Sequence, residues 1–260
     1  MDGSVWRLEN DTKRKRCTAW LQFGRLSAMV DLGRPQEGLS EIHLGSDTLA
    51  ETRLLGIATD RLTAAEEVLL PEAHVRGSQL VAAYEEAPNR PLRVDASWRV
   101  LRANPTEEFL IGVELVVSVQ THLLDGCPEL SARSRLAAEE TLHLRDVTSG
   151  EYQTLPLSPG RVSTVEPADG SPCLLFRLVG TDLSYAEMVH PADFRRAELT
   201  GSGEDCETVH VRHRLFTESI EKGVLLRARV RGLFLSRDDD TRVAATCYAT
   251  LAAAEPPLGS

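Results

Sequence analysis

The sequence lacks the short motifs by which common enzyme chemistries are identified. Gly-x-Ser-x-Gly, phosphate-binding Walker loops and His-Glu-x-x-His are all absent. The seven histidines are scattered, and only His210 and His213 are close in sequence. Their separation places the two rings on opposite faces of a strand, so a shared metal ion is not expected. The sequence therefore predicts neither a metal site nor a cofactor.

Paired cysteines are also missing, although the chain has five cysteines. None of them has Cys-x-x-Cys spacing, and an odd number cannot be fully paired within one chain. The N-terminal residues include no apolar stretch of signal-peptide length, and no segment approaches the roughly 20 apolar residues of a membrane span. These absences predict free thiols and a soluble, cytoplasmic protein without a membrane partner.

Lysine is scarce, because 29 basic residues include only Lys13, Lys15 and Lys222 as lysines. The excess of arginine runs along the whole chain and is interpreted as genome composition, so it singles out no site. The net charge is −10. An acidic surface repels other polyanions, which argues against nucleic acid and anionic membranes as partners.

What the sequence does contain is a two-residue alternation of apolar and polar side chains. In residues 111–122 the odd positions are almost all apolar, whereas the even positions include Glu114, Ser118, Gln120 and His122. Such alternation is typical of a strand with one buried face. It recurs in about twelve to fourteen short segments, which indicates antiparallel sheets. The predicted fold is all-β: a large antiparallel β-sandwich with a few short helices.

The strands are assigned to one all-β domain over residues 18–254. It is flanked by an N-terminal approach segment, residues 1–17, and a loose tail, residues 255–260. Hairpins are predicted for residues 78–85 with 92–102 and for residues 225–235 with 243–251. A short helix is predicted at residues 193–199 and a capped helical turn at 217–223. Residues 149–172 predict a long surface loop or a junction, and residues 64–70 fit a strand or a helical turn equally.

Two polar strand faces are candidate binding surfaces. One carries Glu114, Ser118, Gln120 and His122, and the other carries Arg227, Arg229 and Arg231. In one interpretation both faces are solvated, and the arginines pair across strands with carboxylates. In the other, the faces curve into a concave groove for a polar, hydroxyl-rich ligand. The candidate ligand-binding residues are then Gln120, Arg99, Arg227 and Arg229.

Residues 184–194 hold the densest cluster of side chains useful in catalysis. Glu187 and His190 could perform acid–base work there, and His122 is a further candidate. The position of His190 before a proline at a turn is equally consistent with a structural hydrogen bond. The catalytic residues, if any, therefore stay open.

The segments 216–232, 74–84 and 118–125 resemble a bacterial group of similar length, which looks like the galactose-mutarotase-like β-supersandwich. The resemblance spans most of the chain as a strand pattern. Mutarotases use a His/Glu acid–base pair at the anomeric carbon, in motifs that this sequence does not match, so no catalytic residue is carried over. The resemblance implies binding of a carbohydrate or another polar small molecule on a concave sheet face, with mutarotase-like chemistry as an extension. The alternative is a non-catalytic module that docks a protein partner.

Overall fold

The computed structural model describes residues 5–11, 16–59, 72–86, 91–103, 108–203 and 207–255. These residues form eighteen strands and one α-helix, which confirms the predicted all-β class. The strands are β1 Trp6–Asp11, β2 Arg16–Phe23, β3 Leu26–Asp31, β4 Leu39–Leu44, β5 Asp47–Leu49, β6 Arg53–Thr59, β7 Glu72–Arg76, β8 Gln79–Tyr84, β9 Arg93–Leu101, β10 Ile111–Gln120, β11 Leu130–Asp146, β12 Glu151–Thr154, β13 Val162–Val165, β14 Cys173–Leu178, β15 Leu183–Val189, β16 Arg196–Ser202, β17 Thr208–Arg214 and β18 Leu225–Ser236. The helix is α1 Asp240–Ala253, and 3-10 turns lie at Pro35–Glu37 and Pro167–Asp169.

The strands form three connected sheets in which neighbouring strands are antiparallel. The N-terminal sheet runs β1-β2-β3-β4-β5 and touches β6 through β4. The middle sheet runs β6-β11-β17-β16-β13. The large sheet runs β7-β8-β9-β10-β18-β15-β14-β11-β12. The 17-residue strand β11 belongs to both the middle and the large sheet, so it fixes the angle between them.

The main core lies between the large sheet on one side and the other two sheets on the other. Each sheet contributes alternate residues, such as Leu21, Leu136 and Leu115, all at most 1% exposed. Trp98 of β9 is fully buried, and its indole Nε1 donates to the carbonyl of Leu55 at 3.0 Å. The alternation in residues 111–122 thus marks a core-facing side, as predicted.

A second core lies on the outer face of the large sheet, beneath α1. This helix replaces the strand predicted at residues 243–251, so the second predicted hairpin is wrong. Its buried residues recur every three or four positions, as in Ala244, Cys247, Tyr248 and Leu251. Alanine, the strongest helix former, occurs throughout the segment. The Asp240 carboxylate anchors the first turn, accepting hydrogen bonds from Arg177 and Ser184.

Two further helix predictions are wrong. The segment predicted to be helical at residues 193–199 turns at Asp193 and then enters strand β16. The Asp193 carboxylate accepts the backbone N–H of Arg229 at 3.0 Å, so it ties a loop to β18 and caps no helix. Residues 217–223 hold an isolated bridge between Gly126 and Ile220 where a helical turn was predicted. In both places tertiary pairing overrides local capping signals.

Other predicted segments have mixed outcomes. The hairpin of residues 78–85 with 92–102 is confirmed as β8 paired with β9. Residues 149–172 contain the short strands β12 and β13, and residues 64–70 lie outside the described residues. Strand β1 begins at buried Trp6, inside the predicted approach segment, and the division into domain and flanks stays a prediction.

No helix among the described residues has the length and apolar character needed to cross a membrane.

Candidate functional site

A groove of about 810 Å³ lies on the outer face of the middle sheet. Its floor is made by side chains of β6, β11, β17, β16 and β13 that point away from the main core. The rim is formed by the 3-10 turn that carries Gln36 and Glu37. The volume lies within the range of small-molecule sites. This groove is the candidate functional site.

The turn reaches the groove because two glycines allow it to lie directly on β6. A Cβ atom on Gly56 would stand 2.2 Å from the carbonyl oxygen of Gln36, and one on Gly38 would stand 2.1 Å from that of Leu54. Gly38 also has a φ of 57°, which favours glycine. The close approach places Glu37 beside Arg53, with Oε2 and Nε 3.3 Å apart.

Two rows of facing side chains cross the groove floor. In the first row Arg53, Arg135, His210, Thr200 and Val162 are successive partners across the five strands. The second row runs through Gly56, Arg133, Arg212, Glu198 and Thr164. Arginine therefore faces arginine at two places, Arg53 opposite Arg135 and Arg133 opposite Arg212.

In both rows the arginines lie toward β6 and other polar side chains lie on the strands beyond them, so the floor has two halves. The cationic half comprises Arg53, Arg133, Arg135 and Arg212, on β6, β11 and β17. Arg53 donates from Nη1 to the carbonyls of Ala50 and Thr52. Arg135 pairs with Glu51, whose side chain is 81% exposed. Backbone carbonyls and the carboxylates Glu37 and Glu51 thus hold the guanidinium groups of Arg53 and Arg135.

The polar half comprises Glu198, Thr200, Ser202 and His210, on β16 and β17. The His210 Nε2 atom lies 3.1 Å from the hydroxyl oxygen of Ser202. Partial burial, followed by the positive charge of Arg135, lowers the pKa of His210. Its imidazole is therefore neutral at neutral pH and can accept or donate a hydrogen bond. Glu198 accepts a hydrogen bond from Arg214 at 3.2 Å.

A fully buried polar cluster supports the floor from the core side. The Ser134 hydroxyl donates to Glu187 at 2.5 Å, and the Tyr185 hydroxyl donates to the same carboxylate oxygen at 2.9 Å. The other carboxylate oxygen lies 2.9 Å from Nε2 of His213. Ser134 also accepts the backbone N–H of Leu55, whose φ is +57°. The cluster thereby holds the irregular pairing between β6 and β11 from which Arg53 and Arg135 project.

The predicted ligand-binding residues lie on the outer face of the large sheet, away from this groove. Arg99 and Arg231 flank Glu114, which is fully buried and paired with both. Arg229 is 7% exposed, and burial lowers its pKa. Arg227 donates from Nε to the Ser118 hydroxyl at 3.0 Å.

Gln120 is half-buried on the same face, at the end of β10. The pairing of Arg99 and Arg231 with Glu114 is the one that the first interpretation predicts, whereas Glu114, Ser118 and Arg229 are buried and not solvated as that interpretation expects. A role of Gln120, Arg99, Arg227 and Arg229 in ligand binding stays a prediction.

The three candidate catalytic residues are not brought together. His122 is exposed, two residues after the end of β10, and contacts Glu86. His190 lies 3.1 Å from the carbonyl of Ala254 through Nε2, and its Nδ1 accepts the backbone N–H of Ala192, so both nitrogens are engaged structurally. Glu187 is fully buried in the cluster beneath the groove. Catalytic roles for these residues stay predictions.

The groove residues were missed by sequence reasoning, although a signal was available. Arg133 and Arg135 alternate with Ser134, and His210 and Arg212 alternate with Val211, as in any strand with one polar face. The opposite orientation of His210 and His213 was predicted and is confirmed, since His213 is fully buried and His210 lines the groove. Among the described residues, no group of three or more His, Cys, Asp or Glu side chains could hold a metal ion.

The fold matches solved structures described as putative aldose 1-epimerases and mutarotases. A putative aldose 1-epimerase from Klebsiella pneumoniae has a TM-score of 0.61 and 10% identity, over 98% of this chain and 90% of that one. One from Escherichia coli K12 has a TM-score of 0.58 and 10% identity, over 89% and 99%. A putative mutarotase from Salmonella typhimurium has a TM-score of 0.56 and 8% identity, over 88% and 94%.

No protein-family model and no curated protein matches the sequence. At these identities the matches show the fold alone. The predicted resemblance to the mutarotase-like supersandwich is confirmed at that level.

Proposed function

We propose that the groove of the middle sheet binds a carbohydrate or a similarly hydroxyl-rich small molecule. The observation that carries this proposal is the lining: one concave surface combines planar guanidinium donors, the hydroxyls of Thr200 and Ser202, and the Glu198 carboxylate. A sugar presents adjacent hydroxyls that donate and accept at the same time, so it is matched by a surface that offers both kinds of partner. Two solved structures with this fold are described as putative aldose 1-epimerases, which supports the same ligand class.

Anomer exchange is a second candidate activity, and the position of His210 favours it. The reaction removes the proton of the anomeric hydroxyl, opens the bond between C1 and the ring oxygen, and protonates that oxygen to give the open-chain aldehyde. Rotation about the C1–C2 bond and the reverse proton transfers then close the ring as the other anomer. A neutral imidazole at the groove surface can take the first proton, and water in the open groove can supply the second. Because the pKa of His210 is lowered, the imidazole stays neutral to a more acidic pH than an ordinary histidine.

The experiment is titration calorimetry with a panel of aldoses and their derivatives, followed by polarimetry of any sugar that binds. We expect binding that Thr200→Val and Ser202→Ala weaken, because each removes a hydroxyl and little volume. Exposed Thr48→Val, on the N-terminal sheet, is the matched control. If no sugar binds, the proposed function is wrong. If His210→Gln leaves an accelerated anomer exchange unchanged, the second candidate is wrong while binding stands.

A further inference from the structure

We infer that the ligand of this groove is an anionic carbohydrate, whose carboxylate or phosphate lies over the cationic half while its ring lies over the polar half. The inference rests on the proposed function and names the substrate class. The observation that carries it is the concentration of four arginines in one half of the groove floor, where Arg53 lies opposite Arg135 and Arg133 opposite Arg212 in the strand register.

Like charges directly opposite each other destabilise an antiparallel sheet. A sheet that faced only water would gain by alternating the signs, and this chain does so elsewhere: on the large sheet the order is Arg99, Glu114, Arg231. Beyond the groove, the middle sheet also has Arg196 opposite Arg214, and there one Glu198 oxygen lies 3.2 Å from each guanidinium group. In the groove, Arg53 and Arg135 pair with two separate carboxylates, Glu37 and Glu51. Local departures from the favourable pattern are expected where a protein uses the residues for function.

The charge of the site points the same way. The described lining holds four arginines and two carboxylates, Glu37 and Glu198, whereas the whole chain carries a net charge of −10. A positive concavity on an acidic protein attracts anions selectively, because the surrounding surface repels them. Guanidinium groups bind carboxylate and phosphate through two parallel hydrogen bonds, which neutral hydroxyls cannot match.

The two halves also set the orientation of such a ligand. His210 and Thr200 continue the row that begins with Arg53 and Arg135, so the cationic and polar halves lie side by side on adjacent strands. Adjacent strands are about 4.8 Å apart, so an anionic substituent and the ring that bears it can contact both halves at once. A free anion would leave the polar half unused.

The test compares four probes by calorimetry on the full chain at low salt: glucose, glucuronate, glucose 6-phosphate and inorganic phosphate. We expect glucuronate, glucose 6-phosphate or both to bind at least about tenfold more tightly than glucose, with affinity that falls as salt is raised. Tighter binding of glucuronate would identify carboxylate as the group recognised, and tighter binding of glucose 6-phosphate would identify phosphate.

The matched variants are Arg135→Gln, Arg53→Gln and the control Arg76→Gln. Arg76 is exposed on β7, so its substitution changes the net charge equally without touching the groove. The groove variants are expected to weaken the charged sugar about tenfold or more and to weaken glucose by a clearly smaller factor, so that the preference for the charged sugar falls. Arg135→Lys keeps the charge but loses the planar fork and should give an intermediate affinity. Thermal unfolding checks that each variant is folded.

Equal affinity for glucose and both charged sugars would overturn the inference and leave the proposed function standing. Inorganic phosphate binding as tightly as glucose 6-phosphate would overturn it as well, because the ring would then contribute nothing. Failure of all the sugars to bind would overturn both the inference and the proposed function.

Discussion

The outer faces of the middle and large sheets start from the same sequence feature and reach opposite arrangements. Both carry arginines two residues apart, Arg133 and Arg135 on β11 and Arg227, Arg229 and Arg231 on β18. On the large sheet the neighbouring strand supplies Glu114, which the arginines enclose and bury. On the middle sheet the neighbouring strands supply more arginine, and the surface stays open as a groove. The partner across the strand therefore decides whether the arginines enclose a carboxylate or line an open groove.

The outer face of the large sheet is called the closed face here, and that of the middle sheet the open face. The largest expected effect tests the closed face. Glu114→Gln removes a buried negative charge between Arg99 and Arg231, which leaves the two guanidinium groups facing each other without compensation. We expect a loss of about 3 kcal/mol in the free energy of unfolding, measured by urea denaturation, with ligand affinity unchanged. Glu218→Gln, which breaks an exposed pair with Arg195, is the matched control and should cost less than about 1 kcal/mol. A small loss for Glu114→Gln would mean that the two faces do not differ energetically.

A smaller effect is expected when the open face is given the alternation of the closed one. Arg135→Glu would place a carboxylate between Arg53 and His210, as Glu114 lies between Arg99 and Arg231. Relief of repulsion from Arg53 and loss of the exposed pair with Glu51 act in opposite directions, so the free energy of unfolding should change by less than about 0.5 kcal/mol, while binding of an anionic ligand is lost. Arg135→Gln should lie between wild type and Arg135→Glu in ligand affinity. Retained affinity in Arg135→Glu would show that the facing arginines do not bind the ligand.

The sequence predicted the fold class because the alternation of apolar and polar side chains is a local feature, visible within each strand. The core-facing sides of β9, β10 and β18 follow directly from it, and so does the opposite orientation of His210 and His213. The prediction failed where the two-residue period of a strand and the 3.6-residue period of a helix fit the same residues. Residues 243–251 fit a strand because every odd position is apolar, and they fit a helix because Ala244, Cys247, Tyr248 and Leu251 fall on one helical face. Only their docking on the large sheet selects the helix.

The candidate site could not be predicted in the same way, because a groove depends on which strands become neighbours. Arg53, Arg135 and His210 lie far apart in the sequence, and only the pairing of β6, β11 and β17 aligns them. The short-range clue was Arg133-Ser134-Arg135, which is indistinguishable from the arginines of β18 until the facing residues are known. Glu187 was singled out for its chemistry, but whether it faces a groove or a core depends on the packing of two sheets.

The smallest expected effect asks whether the large sheet also takes part in binding. Arg227 and Gln120 lie near the ends of β18 and β10, where Arg227 donates a hydrogen bond to the Ser118 hydroxyl. Arg227→Gln and Gln120→Ala should each change the free energy of unfolding by less than about 0.5 kcal/mol. Each should leave ligand affinity within about twofold of wild type, since the groove lies on another sheet. If either substitution weakens binding as strongly as Arg135→Gln does, the ligand sits on the large sheet, and the contrast between a closed structural face and an open binding face is wrong.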